Sequence, residues 1–161
     1  MSMDIMARGL ATRAIRHRGA LVTKAADQTG ANYTSTTAIA WDSEAYDTDG
    51  IHDNVTNNTR LTVPPGVSKV LLRGGVRLAN AASIGLVGLY LFKNGSVTYP
   101  GSPGFSVASS GGTQPTPALG IDSPVLPVIP GDYFELELQV NTDTSIDVTA
   151  QRSWFEMLIV E

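Results

Sequence analysis

Two histidines and fifteen carboxylates are the acid–base side chains of this 161-residue sequence that suit catalysis, and cysteine is absent. His17 lies among arginines, and His52 lies beside Asp49 and Asp53. Nucleophilic catalysis needs a nucleophile, a base and an orienting group within hydrogen-bond reach. A Ser-His-Asp arrangement through His52 is formally possible, but the sequence has no Gly-x-Ser-x-Gly elbow to expose a serine. We therefore predict that the protein is not an enzyme.

One acidic segment carries carboxylates that have the chemistry of calcium ligands. They are Asp42, Glu44, Asp47, Asp49 and Asp53. The spacing departs from an EF-hand loop, because Asp47-x-Asp49-Gly50 lacks the third ligand and the terminal glutamate. We interpret this segment as a solvated loop with Asx turns, and we predict no metal and no cofactor. Glu135 and Glu137, which could form a carboxylate pair, are interpreted as surface residues of one strand.

Charge divides the sequence into a basic arm, residues 1–24, and an acidic body, residues 25–161. The arm has five basic side chains against Asp4, whereas the body has six basic and fourteen acidic ones. The five are Arg8, Arg13, Arg16, Arg18 and Lys24. We predict that they dock on an acidic protein surface. Phosphate binding, a membrane surface and a disordered tail are the alternatives, but the arm lacks the aromatics that stack on bases.

The elements that position these residues are predicted to be short strands. Gly131–Val140 alternates strictly: Phe134, Leu136 and Leu138 lie on one side, and Tyr133 and Glu135 lie on the other. Similar runs end at turn residues about every ten positions, which predicts an all-β sandwich or barrel of about eight to ten strands. The further strands are Ala20–Lys24, Thr36–Trp41, Thr59–Val63, Ser68–Ala79 with a bulge or bend at Gly74-Gly75, Ile84–Lys93, Phe105–Ala108, Ser123–Ile129, Ile146–Ala150 and Trp154–Val160.

The order of several short motifs resembles a known family. The motifs are Trp41–Thr48 (WDSEAYDT), Thr62-Val63-Pro64, Lys93-Asn94-Gly95, Gly131-Asp132-Tyr133 and the aromatic Phe155. Together, over residues 36–161, they resemble the jelly roll shared by tumour necrosis factor and the globular heads of complement and collagen-like proteins. The similarity is closest to the small versions found in tailed-bacteriophage virions.

This resemblance implies a jelly-roll β-sandwich that trimerises about a threefold axis. The core and trimer contacts expected from it are Tyr90, Phe92, Tyr133, Phe134, Leu136, Leu138, Trp154 and Phe155. The implied function is that of a homotrimeric capsid decoration, or cement, protein. It would be made in the host cytoplasm and would dock through its arms on the major capsid protein shell of the virion. Neither nucleic acid nor a membrane is needed as a partner.

Two other functions stay open from the sequence. A tail or baseplate receptor-binding protein of the same fold would recognise a host surface glycan with the loops Asp47–Asn58 and Pro100–Pro117. A secreted binding module of the complement type would bind neither capsids nor host cells. The sequence begins without a signal peptide and has no collagen repeat, which favours the virion hypotheses.

Overall fold

The computed structural model describes residues 17–79, 86–97, 107–108, 118–140 and 146–161. All regular elements within these ranges are β-strands, which confirms the all-β prediction. In chain order they are β1 Gly19–Thr23, β2 Gln28–Ala31, β3 Thr37–Ala38, β4 Ser43–Asp47, β5 Arg60–Thr62, β6 Lys69–Ala79, β7 Leu86–Lys93, β8 Ser96–Val97, β9 Val107–Ala108, β10 Ala118–Asp122, β11 Leu126–Pro127, β12 Tyr133–Val140, β13 Ile146–Val148 and β14 Trp154–Ile159. No helix in these ranges has the length and hydropathy of a membrane span.

The strands form two antiparallel sheets. Sheet I has the order β2-β13-β6-β14-β1-β4, and off this path β10 and β11 also pair with β6. Sheet II has the order β3-β12-β7-β8, with β5 also on β12 and β9 also on β7. Strands that are neighbours in the sequence often lie in different sheets, so the connections cross between the two layers.

The core fills the space between the sheets because period-two alternation points one side of each strand inward. From sheet II, the inward residues include Leu89, Leu91 and Phe134. From sheet I, they include Leu72 and Phe155. Full burial of one such side chain contributes about 1.5–3 kcal/mol. The burial of Phe134, Leu136, Leu138 and Phe155 places these predicted contacts in the core rather than on an exposed surface.

Of the bulge or bend predicted at Gly74-Gly75, the bulge is wrong. Strand β6 pairs with β14 without a shift in register through both glycines, as Phe155 opposite Gly74 and Trp154 opposite Gly75. The glycines instead let side chains of other strands approach the backbone of β6 closely. A Cβ on Gly74 would lie 2.4 Å from Leu136 Cδ1 of the facing sheet, and a Cβ on Gly75 would lie 2.7 Å from Trp154 Nε1. Missing side chains therefore make room for Leu136 inside the sandwich and for Trp154 outside it.

Two sequence motifs contact each other at the start of β12. Asn94 and Gly95 have φ values of 53° and 75°, so the hairpin turn after Lys93 is the primed type that Asn-Gly favours. Asn94 Nδ2 donates to Asp132 Oδ1 at 2.8 Å, and Asn94 Oδ1 accepts from Tyr133 N at 2.9 Å. Lys93 Nζ lies 2.7 Å from Asp132 Oδ2. The Lys-Asn-Gly turn and the Gly-Asp-Tyr strand start thus form one unit.

The side chain of Asp132 is buried at the centre of that unit. Only 6% of the residue is exposed, and its Oδ2 also accepts from Ile129 N at 3.0 Å. Burial would raise the pKa of Asp132, but the hydrogen bonds from Lys93, Ile129 and Asn94 outweigh burial and lower it. The ionised carboxylate therefore joins β7, β12 and the segment that precedes β12.

Candidate assembly face

The outward side of sheet I carries three leucines and an indole around a central ion pair, with charged residues beside them on β6. Leu158 of β14 lies opposite Leu71 of β6, and Leu21 of β1 lies opposite Glu156 of β14. The three leucines are half-buried although they face away from the core. We call this surface, defined by Leu21, Leu71, Trp154, Glu156 and Leu158, the assembly face. Large side chains that are only partly covered on a flat sheet indicate a surface suited to contact with another protein.

Glu156 lies at the centre of the assembly face with only 7% of its surface exposed. Its Oε2 accepts from Arg73 Nη2 at 2.6 Å, and its Oε1 accepts from Tyr46 Oη at 2.7 Å. Burial, and then the hydrogen bond to Glu156, raise the pKa of Tyr46. Because both carboxylate oxygens are bonded within the chain, this charge can be covered by a partner at a lower desolvation cost than an unpaired carboxylate.

Trp154 forms the far edge of the assembly face. Its indole lies against the backbone at Gly75, because a Cβ on Gly75 would be only 2.7 Å from Trp154 Nε1. The neighbouring strand β10 contributes Gly120, which pairs with Gly75, so the surface next to the indole carries no side chains. A flat, partly exposed indole beside bare backbone offers a large contact area with little conformational entropy to lose. Trp154 was predicted as a core or trimer contact, and the structure places it on this outward surface.

The predicted arm enters sheet I before its assigned end at residue 24. Gly19–Thr23 is strand β1, paired with both β14 and β4. Lys24 is 7% exposed and donates to Ala40 O at 2.7 Å, and burial lowers its pKa despite the attraction of Asp42. The assignment of Lys24 as a docking residue is therefore corrected, because its ammonium group is used inside the domain.

Arg18 also has an internal partner. Its guanidinium hydrogen-bonds Asp49, and bonds from Arg18 and then Thr48 lower the pKa of Asp49. His17, the first described residue, has its Nε2 2.9 Å from Tyr46 Oη and 3.7 Å from Glu156 Oε1. The chain therefore enters the domain next to the assembly face. The remaining predicted docking residues, Arg8, Arg13 and Arg16, lie outside the described residues.

The carboxylates of the acidic segment accept hydrogen bonds from nearby backbone N–H groups, as the predicted Asx turns require. Asp42 accepts from Ala25 N, Asp47 accepts from Asp49 N and His52 N, and Asp53 accepts from Val55 N and Thr56 N. No group of three potential metal ligands occurs in the described ranges. Part of this segment is a strand, β4, where a loop was predicted. Its exposed Glu44 places a charge on an edge of sheet I, which disfavours unwanted pairing with another strand.

His52 is a structural residue rather than a general base. Its side chain is fully covered. Nδ1 lies 3.0 Å from Glu44 Oε1 and Nε2 lies 3.2 Å from Asn58 O. With both ring nitrogens engaged, the imidazole connects β4 to the loop before β5 and has no free position for a substrate proton. The absence of enzymatic activity stays a prediction.

The other predicted contacts, Tyr90, Phe92 and Tyr133, are not in the core. Tyr90 and Phe92 alternate with the inward residues Leu89 and Leu91 on β7, so they lie on the outward side of sheet II, where they are half-buried. Tyr133 lies on the same side of β12, and Arg60 Cζ lies 4.0 Å from the centre of its ring. The structure therefore separates the predicted set into core residues and outward residues of both sheets.

Sequence reasoning did not identify Tyr46, Glu156 or the leucines of the assembly face. The signal for Leu71 and Leu158 is present, because apolar residues occupy consecutive positions at Val70–Leu72 and Met157–Ile159, which places at least one apolar residue on both faces of each strand. No local signal joins Tyr46 to Glu156, which are 110 residues apart in the sequence. Their contact depends on β1 lying between β4 and β14 in sheet I.

Comparison with solved structures identifies the fold. Murine APRIL superimposes with a TM-score of 0.59 and 11% identity over 90% of this chain and 100% of that chain. The globular domain of zebrafish complement 1qA gives a TM-score of 0.54 and 12% identity over 89% and 98% of the two chains. The protein is a jelly roll of the tumour-necrosis-factor and complement-head type. No protein-family model and no curated protein matches the sequence.

Proposed function

We propose that this protein is a homotrimeric decoration protein of a bacteriophage capsid. The observation that carries this proposal is the assembly face: an outward sheet surface with half-buried Leu21, Leu71 and Leu158 around a fully bonded Glu156. Burial of the leucines between copies stabilises the assembly, and the buried Glu156 carboxylate keeps its hydrogen-bond partners. A trimer is the assembly that the resemblance to tumour necrosis factor and complement heads implies.

The position of the arm supports docking by several arms at once. His17 lies beside Glu156, so each arm reaches the domain next to the assembly face. Cyclic symmetry places equal residues at equal heights along the axis. Three copies of His17 would then lie at one level along the axis, and each connects to an arm that carries Arg8, Arg13 and Arg16 in its sequence. Three linked contacts of modest affinity reach a much higher avidity than one, provided that all three sites are within reach.

The capsid as partner is supported by the sequence. The Trp41–Thr48 block resembles small phage virion jelly rolls, and the basic segment suits an acidic protein lattice. The function on this view is mechanical: the trimer adds buried area at threefold positions of the shell and cements neighbouring subunits. The protein would be located on the capsid surface of the virion and would act by association, without catalysis.

The test is binding to undecorated shells of the phage that encodes the chain. The full-length protein is mixed with shells. Co-sedimentation measures how much protein binds, and heating measures the temperature at which the shells rupture. The variant Arg8→Gln/Arg13→Gln/Arg16→Gln should lose binding and heat protection. The matched control Arg8→Lys/Arg13→Lys/Arg16→Lys changes the same three side chains but keeps their charge, and it should keep both binding and heat protection. Adsorption to host cells with no effect on shells would overturn the proposal and favour the tail receptor-binding hypothesis.

A further inference from the structure

A row of three aromatic rings crosses the outward side of sheet II, opposite to the assembly face. Phe92 lies across from Glu135, Tyr90 lies across from Glu137, and Tyr133 lies two residues before Glu135 on β12. Residues two apart on a strand are about 7 Å apart, and neighbouring strands are about 5 Å apart. The rings Tyr133, Phe92 and Tyr90 therefore form a diagonal row about 15 Å long, which we call the aromatic row.

Tyr90 lies flat on the sheet because the strand has a glycine beside it. A Cβ on Gly88 would lie 2.5 Å from Tyr90 Oη and 2.6–2.7 Å from two of its ring carbons. The ring thus covers the backbone at Gly88 with one face and turns its other face outward. The face of an aromatic ring carries negative potential and attracts polarised C–H groups. This arrangement suits stacking of a pyranose ring, whose faces carry C–H groups.

Polar side chains that suit sugar hydroxyls flank the row. Glu137 lies across from Tyr90 and hydrogen-bonds Thr36, and burial, followed by the charge of Glu135, raises its pKa. Gln139 lies across from Gly88, and its amide nitrogen is 3.5 Å from Thr34 O. Few, fixed polar groups beside apolar surface are typical of small-ligand sites.

The charge on this surface selects against acidic ligands. Glu135 accepts from Arg60 Nε at 3.2 Å and from Thr59 Oγ1 at 2.6 Å, so Arg60 compensates one carboxylate. In the described part of the chain, the pKa of Glu137 is shifted by burial, by the charge of Glu135 and by the Thr36 hydrogen bond, and no cation contributes. The surface around the row therefore has a net negative charge, which repels phosphates and uronic acids. An uncharged sugar keeps its hydroxyl contacts without this repulsion.

A cleft extends the aromatic row at its Tyr133 end. Its volume is about 460 Å³, within the usual range for ligand pockets. Tyr133, Arg60 and Thr62 line one side, and Asp53 and Thr56 of the loop before β5 line the other. Arg60 uses its Nε for Glu135, and the hydrogen bonds of the described residues leave its terminal nitrogens as donors. The cleft thus offers donors and acceptors for a terminal sugar unit.

We propose that the aromatic row and its cleft bind an uncharged oligosaccharide. Phe92 and Tyr90 each stack on one sugar unit, and Glu137 and Gln139 bond hydroxyls along the row. Arg60, which lies over the Tyr133 ring, and Asp53 bond hydroxyls in the cleft. The site lies on sheet II, so it stays accessible when the assembly face on sheet I is covered. It does not rest on the proposed capsid function, and it places recognition on a sheet surface rather than in the loop Pro100–Pro117.

The test begins with the full-length protein on an array of neutral and acidic oligosaccharides, followed by calorimetric titration with the neutral oligosaccharide that gives the strongest array signal. Tyr90→Ala should weaken binding by about tenfold, because a stacked ring contributes on the order of 1 kcal/mol or more. Val125→Ala is the control, since it removes an exposed apolar side chain next to β11 of the opposite sheet, outside the assembly face. It should change the affinity by less than about twofold.

A second variant tests the orientation of the ring without removing it. Gly88→Ala should lift Tyr90 from the strand and weaken binding while far-UV circular dichroism stays unchanged. The proposal is overturned if no neutral oligosaccharide binds, if acidic ones bind as well or better, or if Tyr90→Ala retains wild-type affinity. Equal losses in Tyr90→Ala and Val125→Ala would also overturn it. These results leave shell binding unaffected, so failure here is distinct from failure of the capsid proposal.

Discussion

Replacement of Asp132 by alanine tests how strongly the junction of the Lys-Asn-Gly and Gly-Asp-Tyr motifs stabilises the fold. The change removes the acceptor of three groups: Lys93 Nζ at 2.7 Å, Asn94 Nδ2 at 2.8 Å and Ile129 N at 3.0 Å. A hydrogen bond to a charged group contributes about 1.5–3 kcal/mol, and breaking a buried ion pair costs about 3–5 kcal/mol. Because the Lys93 side chain is 27% exposed, water compensates its ammonium in part. We expect a loss of about 3 kcal/mol.

The assay is urea unfolding followed by circular dichroism at one fixed protein concentration, since unfolding of an oligomer depends on concentration. Asp132→Asn keeps the shape and should lose about half as much. Asp122→Ala, at an exposed position of β10, is the control and should change the free energy of unfolding by less than about 0.5 kcal/mol. A loss below about 1 kcal/mol for Asp132→Ala would refute the central role of this carboxylate.

The pH dependence gives an independent check with a definite sign. The folded-state pKa of Asp132 is lowered, so its stabilising contribution is complete above the unfolded-state pKa of about 3.9 and is lost as pH falls through the folded-state pKa. The difference in stability between the wild type and Asp132→Asn should therefore shrink as pH falls below about 4. A difference that stays constant down to pH of about 2 would mean that the charge contributes nothing.

Three further substitutions test other contacts. Gly74→Ala places a Cβ 2.4 Å from Leu136 Cδ1 in the core, and we expect a loss of about 1–3 kcal/mol in urea unfolding. Gly75→Ala forces Trp154 off the strand, which should shift tryptophan fluorescence to longer wavelength; an unchanged spectrum would contradict the flat indole. Glu137→Gln should raise stability at pH 7 by less than about 1 kcal/mol, because a raised folded-state pKa penalises the ionised form above pH of about 4.3. The gain should vanish at lower pH, and a loss at pH 7 would contradict this sign.

Strands with strict alternation were predictable because one side of each is buried by the opposite sheet. The core residues Phe134, Leu136 and Leu138 follow directly from the period of Gly131–Val140. The turn at Asn94-Gly95 was predictable from local backbone preference. These features depend on neighbours in the sequence, and a single sequence contains that information.

Features set by distant partners were not predictable. Gly74 and Gly75 suggest a bulge until Leu136 and Trp154 are known to lie over them. Strand β4 is short, exposed and acidic, so its residues favour a loop and only pairing with β1 makes it a strand. The end of the arm was predicted at residue 24 because the charge changes there, although Gly19–Thr23 already pairs with β14. Charge composition does not reveal that β1 lies at the interior of sheet I.

The central claim is that the assembly face joins three copies of the chain, and the solution mass tests it most directly. Light scattering on the full-length protein should give about three times the chain mass of 17.0 kDa. Leu71→Asp, which places a charge on the assembly face, should give one chain mass with an unchanged circular dichroism spectrum. Ile129→Asp, at a 69% exposed position elsewhere, should remain trimeric. A monomeric wild type, or a Leu71→Asp variant that stays trimeric, would contradict the account.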